Sequence, residues 1–286
     1  MSKRILGIDA AWTERNPSGV ALVRLQKRGR PRLLRVARSY EEFCTLARDE
    51  QIDWMSEVHG GAPDIPALLA ACKKIAGEMP NVIALDIPLA PRPITGRRVA
   101  DNLVTRLYGG RRAGTHTPTA KRPGPISRML FEQLTAYGFT WQSAETQILP
   151  NKSKAQNSHV FFETYPHPAI IELLGLEERL KYKVSKLQKY WPELDHEARR
   201  VAVARELDRL RTALAKRITN VRKWLPPARF FLNVRRTAWL KNYENAIDAI
   251  ICAWIGCQFV YGRCSSYGDA ASAIWLPRPN HRSIKQ

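Results

Sequence analysis

The stretch ILGIDAAWTERNPSGVALVR, residues 5–24, decides how this chain folds. It holds two apolar runs rich in β-forming residues, separated by polar turn residues around Pro17, and this pattern predicts a β-hairpin. The first run ends on Asp9. An acid at this position is often only a turn residue or a helix cap, but it is also where α/β enzymes hold catalytic acids and metal ligands.

The same pattern recurs twice further along the chain. VIALDIP, residues 82–88, is an apolar run that ends on Asp86, and VFFETYP, residues 160–166, is one that ends on Glu163. A third strand is predicted directly after the hairpin, and a helix precedes VIALDIP. This order predicts three antiparallel strands, a helix, and a return strand parallel to the first. Acids at the ends of adjacent parallel strands meet at one edge of the sheet.

A fourth acid lies in the last strongly helical stretch, predicted over residues 242–261. Asp248 stands in the middle of the apolar run IDAIICAW, where an unpaired carboxylate costs several kcal/mol and therefore requires a cation. Glu244 and Asn245 lie one turn earlier and share its face. If the sheet edge and this helix meet, Asp248 joins the strand-borne acids.

Asp9, Asp86, Glu163 and Asp248 are therefore the candidate catalytic and metal-binding residues. Oxygen ligands without His or Cys favour Mg²⁺ or Mn²⁺. Two such ions, about 4 Å apart, would serve in-line attack on a phosphodiester bond.

The charge of the chain points to a polyanionic partner. The formal net charge is +20 and the pI is about 10.1, which favours binding to DNA or RNA, although a basic protein can also be merely soluble. The stretch between residues 88 and 125 supplies a candidate phosphate clamp, or alternatively a solvated basic loop. The candidate nucleic-acid-binding residues are Arg97, Arg98, Arg106, Arg111, Arg112, Lys121 and Arg122.

Residues 181–241 differ in composition from the rest. They hold seventeen Lys and Arg against five Asp and Glu, a net charge of +12, with helical periodicity over Val201–Leu214. We interpret this stretch as a basic helical insertion into a domain formed by residues 1–180 and 242–286. Its basic side is either a solvated surface or a nucleic-acid clamp.

Cysteines and hydropathy place the chain in a reducing compartment. The five cysteines form no CxxC pair, so neither a zinc site nor a disulfide framework is indicated. No apolar run is long enough to span a bilayer, and the N-terminus leads directly into a strand rather than a signal peptide. We expect a cytoplasmic protein without a membrane partner.

The ordered motifs resemble those of the DUF429 family. The resemblance rests on the following segments: GIDAAW (7–12), SGVA (18–21), LDIP (85–88), ETYP (163–166) and DAIICA (248–253). It covers most of the chain outside residues 181–241. Members of that family are predicted nucleases of the ribonuclease H-like superfamily. The resemblance therefore implies an α/β, ribonuclease H-like mixed sheet with flanking helices, in which Asp9, Asp86 and Asp248 bind the metal of a nuclease and Glu163 lies at a further strand end.

Two other function classes stay open. Actin-like phosphotransferases also begin with Gly-Ile-Asp, but no second glycine-rich phosphate loop follows Asp86 in this sequence. A non-catalytic nucleic-acid-binding protein could carry the same acids as structural remnants. Binding of a divalent metal at the acids would separate the nuclease from this alternative.

Overall fold

A computed structural model describes residues 2–48, 50–146, 159–233 and 236–279. The chain has a mixed α/β fold built on one sheet of order β3-β2-β1-β4-β6-β8-β7, with β5 pairing beside β6. The strands are β1 (Arg4–Asp9), β2 (Gly19–Arg24), β3 (Arg32–Ala37), β4 (Val82–Leu85), β5 (Thr140–Trp141), β6 (Val160–Thr164), β7 (Cys264–Gly268) and β8 (Ala273–Pro277).

The strand directions confirm the order predicted from the sequence. Strands β1, β2 and β3 form an antiparallel meander, and β4 lies parallel to β1. Strand β6 is parallel to β4, and β8 is parallel to β6. The sequence analysis missed β7, whose polar CSSYG run has no strand pattern of its own and is held by antiparallel pairing with β8.

Helices cover both faces of the sheet. They are α1 (Tyr40–Thr45), α2 (Ile65–Ala76), α3 (Val99–Tyr108), α4 (Gly124–Ala136), α5 (Pro166–Leu174), α6 (Leu187–Tyr190), α7 (His196–Arg217), α8 (Val221–Trp224) and α9 (Ala238–Val260). Helix α9 packs on one face, and helices α1, α2 and α4 enclose the core on the other. Helix α9 begins four residues before the predicted start at Asn242.

Two glycines let α9 lie directly against the first hairpin. A Cβ at Gly7 would stand 2.2 Å from the carbonyl oxygen of Ala249, and one at Gly19 would stand 2.1 Å from that of Asn245. Both distances are far below any real carbon–oxygen contact. The Gly-Ile-Asp and Ser-Gly motifs therefore fix the distance between the sheet and the helix that carries Asp248.

Residues 181–241 share the core of the sheet. Leu207, Leu210 and Phe231 are fully buried in the same continuous apolar cluster as Ile5 of β1 and the inner face of α9. The backbone N–H of Thr219 donates to the carbonyl of Pro31, beside the outer strand β3. The basic side chains therefore stand on helices that are packed into the molecule. Across the ranges described above, no helix combines the length and apolarity needed to cross a membrane.

Candidate active site

The pairing register of the parallel strands brings two of the predicted acids to the same face. Ile8 of β1, Leu85 of β4 and Glu163 of β6 are aligned across the sheet. Asp9 and Asp86 each lie one residue further along, and side chains alternate between faces, so both acids project toward α9. The N–H of Asp86 continues the ladder by donating to the Ile8 carbonyl at 2.9 Å.

Helix α9 brings Asp248 to this edge. The carboxylate is fully buried, and both of its oxygens accept hydrogen bonds. The hydroxyl of Tyr182 donates to Oδ1 at 2.8 Å, and Nζ of Lys183 donates to Oδ2 at 2.5 Å. Asp248 therefore has the cation that the sequence required for it, and that cation is a lysine.

Glu244 lies one turn before Asp248 and is equally well paired. Its Oε1 atom lies 3.2 Å from Nζ of Lys183 and 2.7 Å from Nζ of Lys241, while the N–H of Val184 donates to Oε2 at 2.6 Å. Burial would raise the pKa of Glu244, but the two lysines lower it below its ordinary value. Glu244 is thus an ionised structural partner of the two lysines.

Asp9 and Asp86 differ from these two acids. No residue within the described ranges donates a hydrogen bond or forms an ion pair to either carboxylate. Burial and the nearby Asp248 raise the pKa of Asp9 to about 7, and burial and Asp9 raise the pKa of Asp86 well above its usual range. Burial is the larger cause of both shifts, and the neighbouring acids raise both pKa values further.

Glu163, the third strand-end acid of the sequence analysis, lies in a different environment. Its place in the register puts it on the opposite face of the sheet from Asp9 and Asp86. Arg98 donates to both of its oxygens, at 2.6 and 2.7 Å, and the N–H of Leu89 adds a bond at 2.7 Å. Burial raises the pKa of Glu163 to about 7, against the opposing effect of Arg98.

Arg98 also pairs with the buried Asp101, whose carboxylate accepts from its guanidinium at 2.9 Å. Burial alone would lower the pKa of Arg98, but the two acids raise it above its usual value. Arg98 was predicted to bind nucleic acid, yet its side chain is only 8% exposed and its guanidinium is paired with two buried acids.

The donor set can be compared with the needs of a divalent ion. Over the described residues, no group of three or more His, Cys, Asp or Glu side chains is arranged to hold a metal. The geometry explains this, because Asp248 is turned to Lys183 and Glu163 to Arg98. Two unpaired carboxylates remain at Asp9 and Asp86. Mg²⁺ is commonly held by one or two carboxylates together with waters and substrate phosphates, so these two residues fit such an ion.

The other predicted basic contacts divide into two groups. Arg97 donates to side chains and a carbonyl of its own loop and α3, Arg111 pairs with Glu172, and Arg112 pairs with Glu178. The side chains of Arg106, Lys121 and Arg122 are exposed. Only this second group is available to a large partner without breaking an internal contact.

Sequence analysis missed Lys183 as a residue of the site. Lys183, Lys186 and Arg179 all act electrostatically on His167, a buried residue whose pKa is held well below its usual value by burial and by these cations. Lys183 also lowers the pKa of Asp9 and Asp86. The only available signal was the YKVSK run (182–186), which was assigned to the basic insertion rather than to the site.

Comparison with known proteins supports a family but no activity. A family model described as a protein of unknown function (DUF429) matches residues 7–272. No curated protein and no solved structure matches the chain.

Proposed function

The chain belongs to the DUF429 family, since the match covers nearly all of it, and on that premise we propose a divalent-metal-dependent nuclease that hydrolyses phosphodiester bonds of DNA or RNA. One observation carries the proposal. Asp9 and Asp86 are the two acids of the edge that have no partner within the described residues, while Asp248, Glu244 and Glu163 are all paired. Buried carboxylates with perturbed pKa values and no partner are typical of functional sites.

We further propose that the fold is ribonuclease H-like. The support is the strand arrangement: an antiparallel β3-β2-β1 meander, then β4 and β6 parallel to β1, with the acids at the carboxyl edge of β1 and β4. A late helix, α9, crosses the first hairpin and adds an acid to that edge. This arrangement places candidate ligands at the position where open α/β sheets usually bind theirs.

The residues have distinct roles in this proposal. Asp9 and Asp86 bind Mg²⁺ or Mn²⁺, which when bound supplies Lewis-acid activation of water and charge neutralisation at the phosphate. Gly7 holds α9 at the distance that the site requires. Lys186 and Arg179, which are partly exposed and lie near Lys183, bind flanking phosphates as donors of charge-assisted hydrogen bonds.

Nucleic acid is the substrate class that the charge of the molecule supports. The net charge of +20 attracts a polyanion, and nucleic acid is the commonest polyanionic partner of so basic a protein. We therefore expect affinity for DNA or RNA to fall steeply as salt rises, because phosphate contacts release counterions.

The non-catalytic alternative keeps one observation in its favour. Asp248 is already neutralised by Lys183, so a third acidic ligand is lacking. A protein that only binds nucleic acid would tolerate such a site, whereas a nuclease must still hold an ion at Asp9 and Asp86.

A cleavage assay on single strands, duplexes, hybrids and junctions tests the proposal with Mg²⁺ or Mn²⁺. We expect Asp9→Asn to lower kcat/KM by about 10²–10³-fold or more while leaving nucleic-acid affinity unchanged. Asp195→Asn is the matched control: it makes the same chemical change at the N-cap of α7, where Asn also caps well.

Two outcomes would overturn the proposal. Cleavage that survives Asp9→Asn would come from another site or another protein. Tight binding of nucleic acid without cleavage of any substrate, and without Mn²⁺ binding, would select the non-catalytic alternative. A flat salt dependence would remove nucleic acid as the partner.

A further inference from the structure

Lys183 is the most deeply set cation at the carboxyl edge of the sheet. Its side chain is 17% exposed, against 42% for Lys241, and its Nζ bridges Asp248 at 2.5 Å and Glu244 at 3.2 Å. Its charge also acts on Asp9 and Asp86 across the edge. Lys183 therefore faces every acid on the α9 face of the site.

The segment around Lys183 is built to hold this ammonium in place. Its two chain neighbours each bond to one of the same two acids: the Tyr182 hydroxyl donates to Asp248, and the Val184 N–H donates to Glu244. The Tyr182 ring lies 5.1 Å from Nζ and adds a cation–π contact. Three consecutive residues thus fix one side chain, which is more than a solvated lysine requires.

The formal charges at this edge of the sheet sum to a net negative charge. Asp9, Asp86, Glu244 and Asp248 contribute four negative charges, and Lys183 and Lys241 contribute two positive ones. With all four acids ionised, the two charges that lack a lysine partner lie on Asp9 and Asp86. One divalent cation would balance them, and a second would have to displace the ammonium from Asp248.

We propose that Lys183 is a resident cation of the site, so that the site takes one divalent ion, held by Asp9 and Asp86, with the ammonium in place of a second ion. This inference rests on the proposed function, because it concerns the same acids. Within that reaction Lys183 is a positioning residue for charge: it fixes Asp248 and Glu244 and supplies permanent positive potential beside the phosphate.

A direct consequence concerns Asp248. Both of its oxygens are used by Tyr182 and Lys183, so it is not a ligand of the ion. Asp248→Asn should therefore keep one bound Mn²⁺ with affinity weakened no more than about tenfold, through the less compensated ammonium. Asp9→Asn and Asp86→Asn should each abolish binding.

The decisive experiment is a Mn²⁺ titration of the full chain, followed by calorimetry and by the electron paramagnetic resonance of free Mn²⁺. We expect one ion per wild-type chain. Lys183→Met keeps the volume of the stem but removes the charge, and it should either raise the stoichiometry to two or tighten the first site by about tenfold or more. It should also lower cleavage by about 10²-fold, although the metal is bound more tightly.

Lys241→Met is the matched control, because Lys241 contacts Glu244 from the solvent side, forms no hydrogen bond or ion pair with Asp248, and acts on Asp9 and Asp248 only at longer range. We expect it to change Mn²⁺ affinity by less than about threefold. If Lys183→Met does not fold, Asp248→Asn still tests the inference through the number of ions bound.

The possible results separate this inference from the proposed function. Two ions in the wild-type chain, loss of Mn²⁺ in Asp248→Asn, or unchanged binding in Lys183→Met would each overturn the role of Lys183 while leaving the nuclease intact. If the wild-type chain binds no Mn²⁺ that depends on Asp9, the proposed function fails and this inference fails with it.

Discussion

Two groups of acids lie at the same edge of the sheet, and only one of them is paired with a cation. The paired cluster, formed by Arg98, Asp101 and Glu163, is buried and fully hydrogen-bonded. The open pair, formed by Asp9 and Asp86, has no hydrogen-bond or ion-pair partner for its carboxylates within the described residues. All but Asp101 were singled out by the sequence analysis. The difference teaches that position at a strand end does not decide whether an acid is paired, because the fold supplies a cation to one acid and not to another.

Removing the cation of the paired cluster should give the largest loss of stability. Arg98→Met leaves Asp101 and Glu163 buried without a cation, and breaking a buried ion pair in this way costs about 3–5 kcal/mol. Urea unfolding followed by circular dichroism measures the change in the free energy of unfolding.

Arg97→Met is the control for this substitution. It removes the neighbouring arginine, whose bonds are made at the surface to its own loop and helix α3, and should cost less than about 1 kcal/mol. If Arg98→Met lowered the free energy of unfolding no more than Arg97→Met, the paired cluster would not stabilise the fold, and its contrast with the open pair would be wrong.

An intermediate effect is expected where the sheet meets α9. Gly7→Ala places a methyl group against the Ala249 carbonyl and the backbone of Ala253, and over-packing of this kind costs about 1–3 kcal/mol. Because α9 must move away from β1, the open pair is disturbed while the paired cluster is not. We therefore expect Mn²⁺ affinity to fall in parallel with the free energy of unfolding.

Gly61→Ala provides the matched control, since a Cβ at Gly61 meets no atom within 4 Å and its backbone is not left-handed. It should leave both stability and Mn²⁺ affinity unchanged. Full Mn²⁺ affinity in Gly7→Ala would show that the spacing of α9 does not matter to the open pair.

Sequence patterns predicted the order of the strands, but they did not predict on which face of the sheet each acid lies. Apolar runs, turn residues and the intervening helix predicted the directions of β1 to β4 and of β6. The face of a strand residue depends on register, which changes with a shift of a single residue. Glu163 is aligned with Ile8 and Leu85 rather than with Asp9 and Asp86, and no pattern within β6 reveals that.

Residues brought to the site from distant segments were equally hidden. Lys183 lies 65 residues before Asp248 in a run that reads as part of a basic surface, and only the packing of residues 181–241 into the core turns it inward. Conversely, Arg98 and Arg111 were predicted to contact phosphates, but in the structure they form ion pairs with Glu163 and Glu172. The charge of a residue was predictable from the sequence, whereas its partner was not.

The pH dependence of stability tests the open pair most directly. Burial and Asp248 raise the pKa of Asp9 from 3.8 to about 7, so the folded chain keeps a proton there that the unfolded chain has already lost. Unfolding between about pH 4 and 7 therefore releases a proton, and the stability of the wild-type chain falls as pH rises through this window and levels off above it. Asp9→Asn has no such proton. It should match the wild type near pH 4 and be the more stable chain at pH 8, by up to about 4 kcal/mol, in urea titrations without divalent metal. Saturating Mg²⁺ should stabilise only the wild type and reduce or reverse that advantage. If Asp9→Asn were instead less stable at pH 8, Asp9 would have a compensating partner and would belong with the paired cluster.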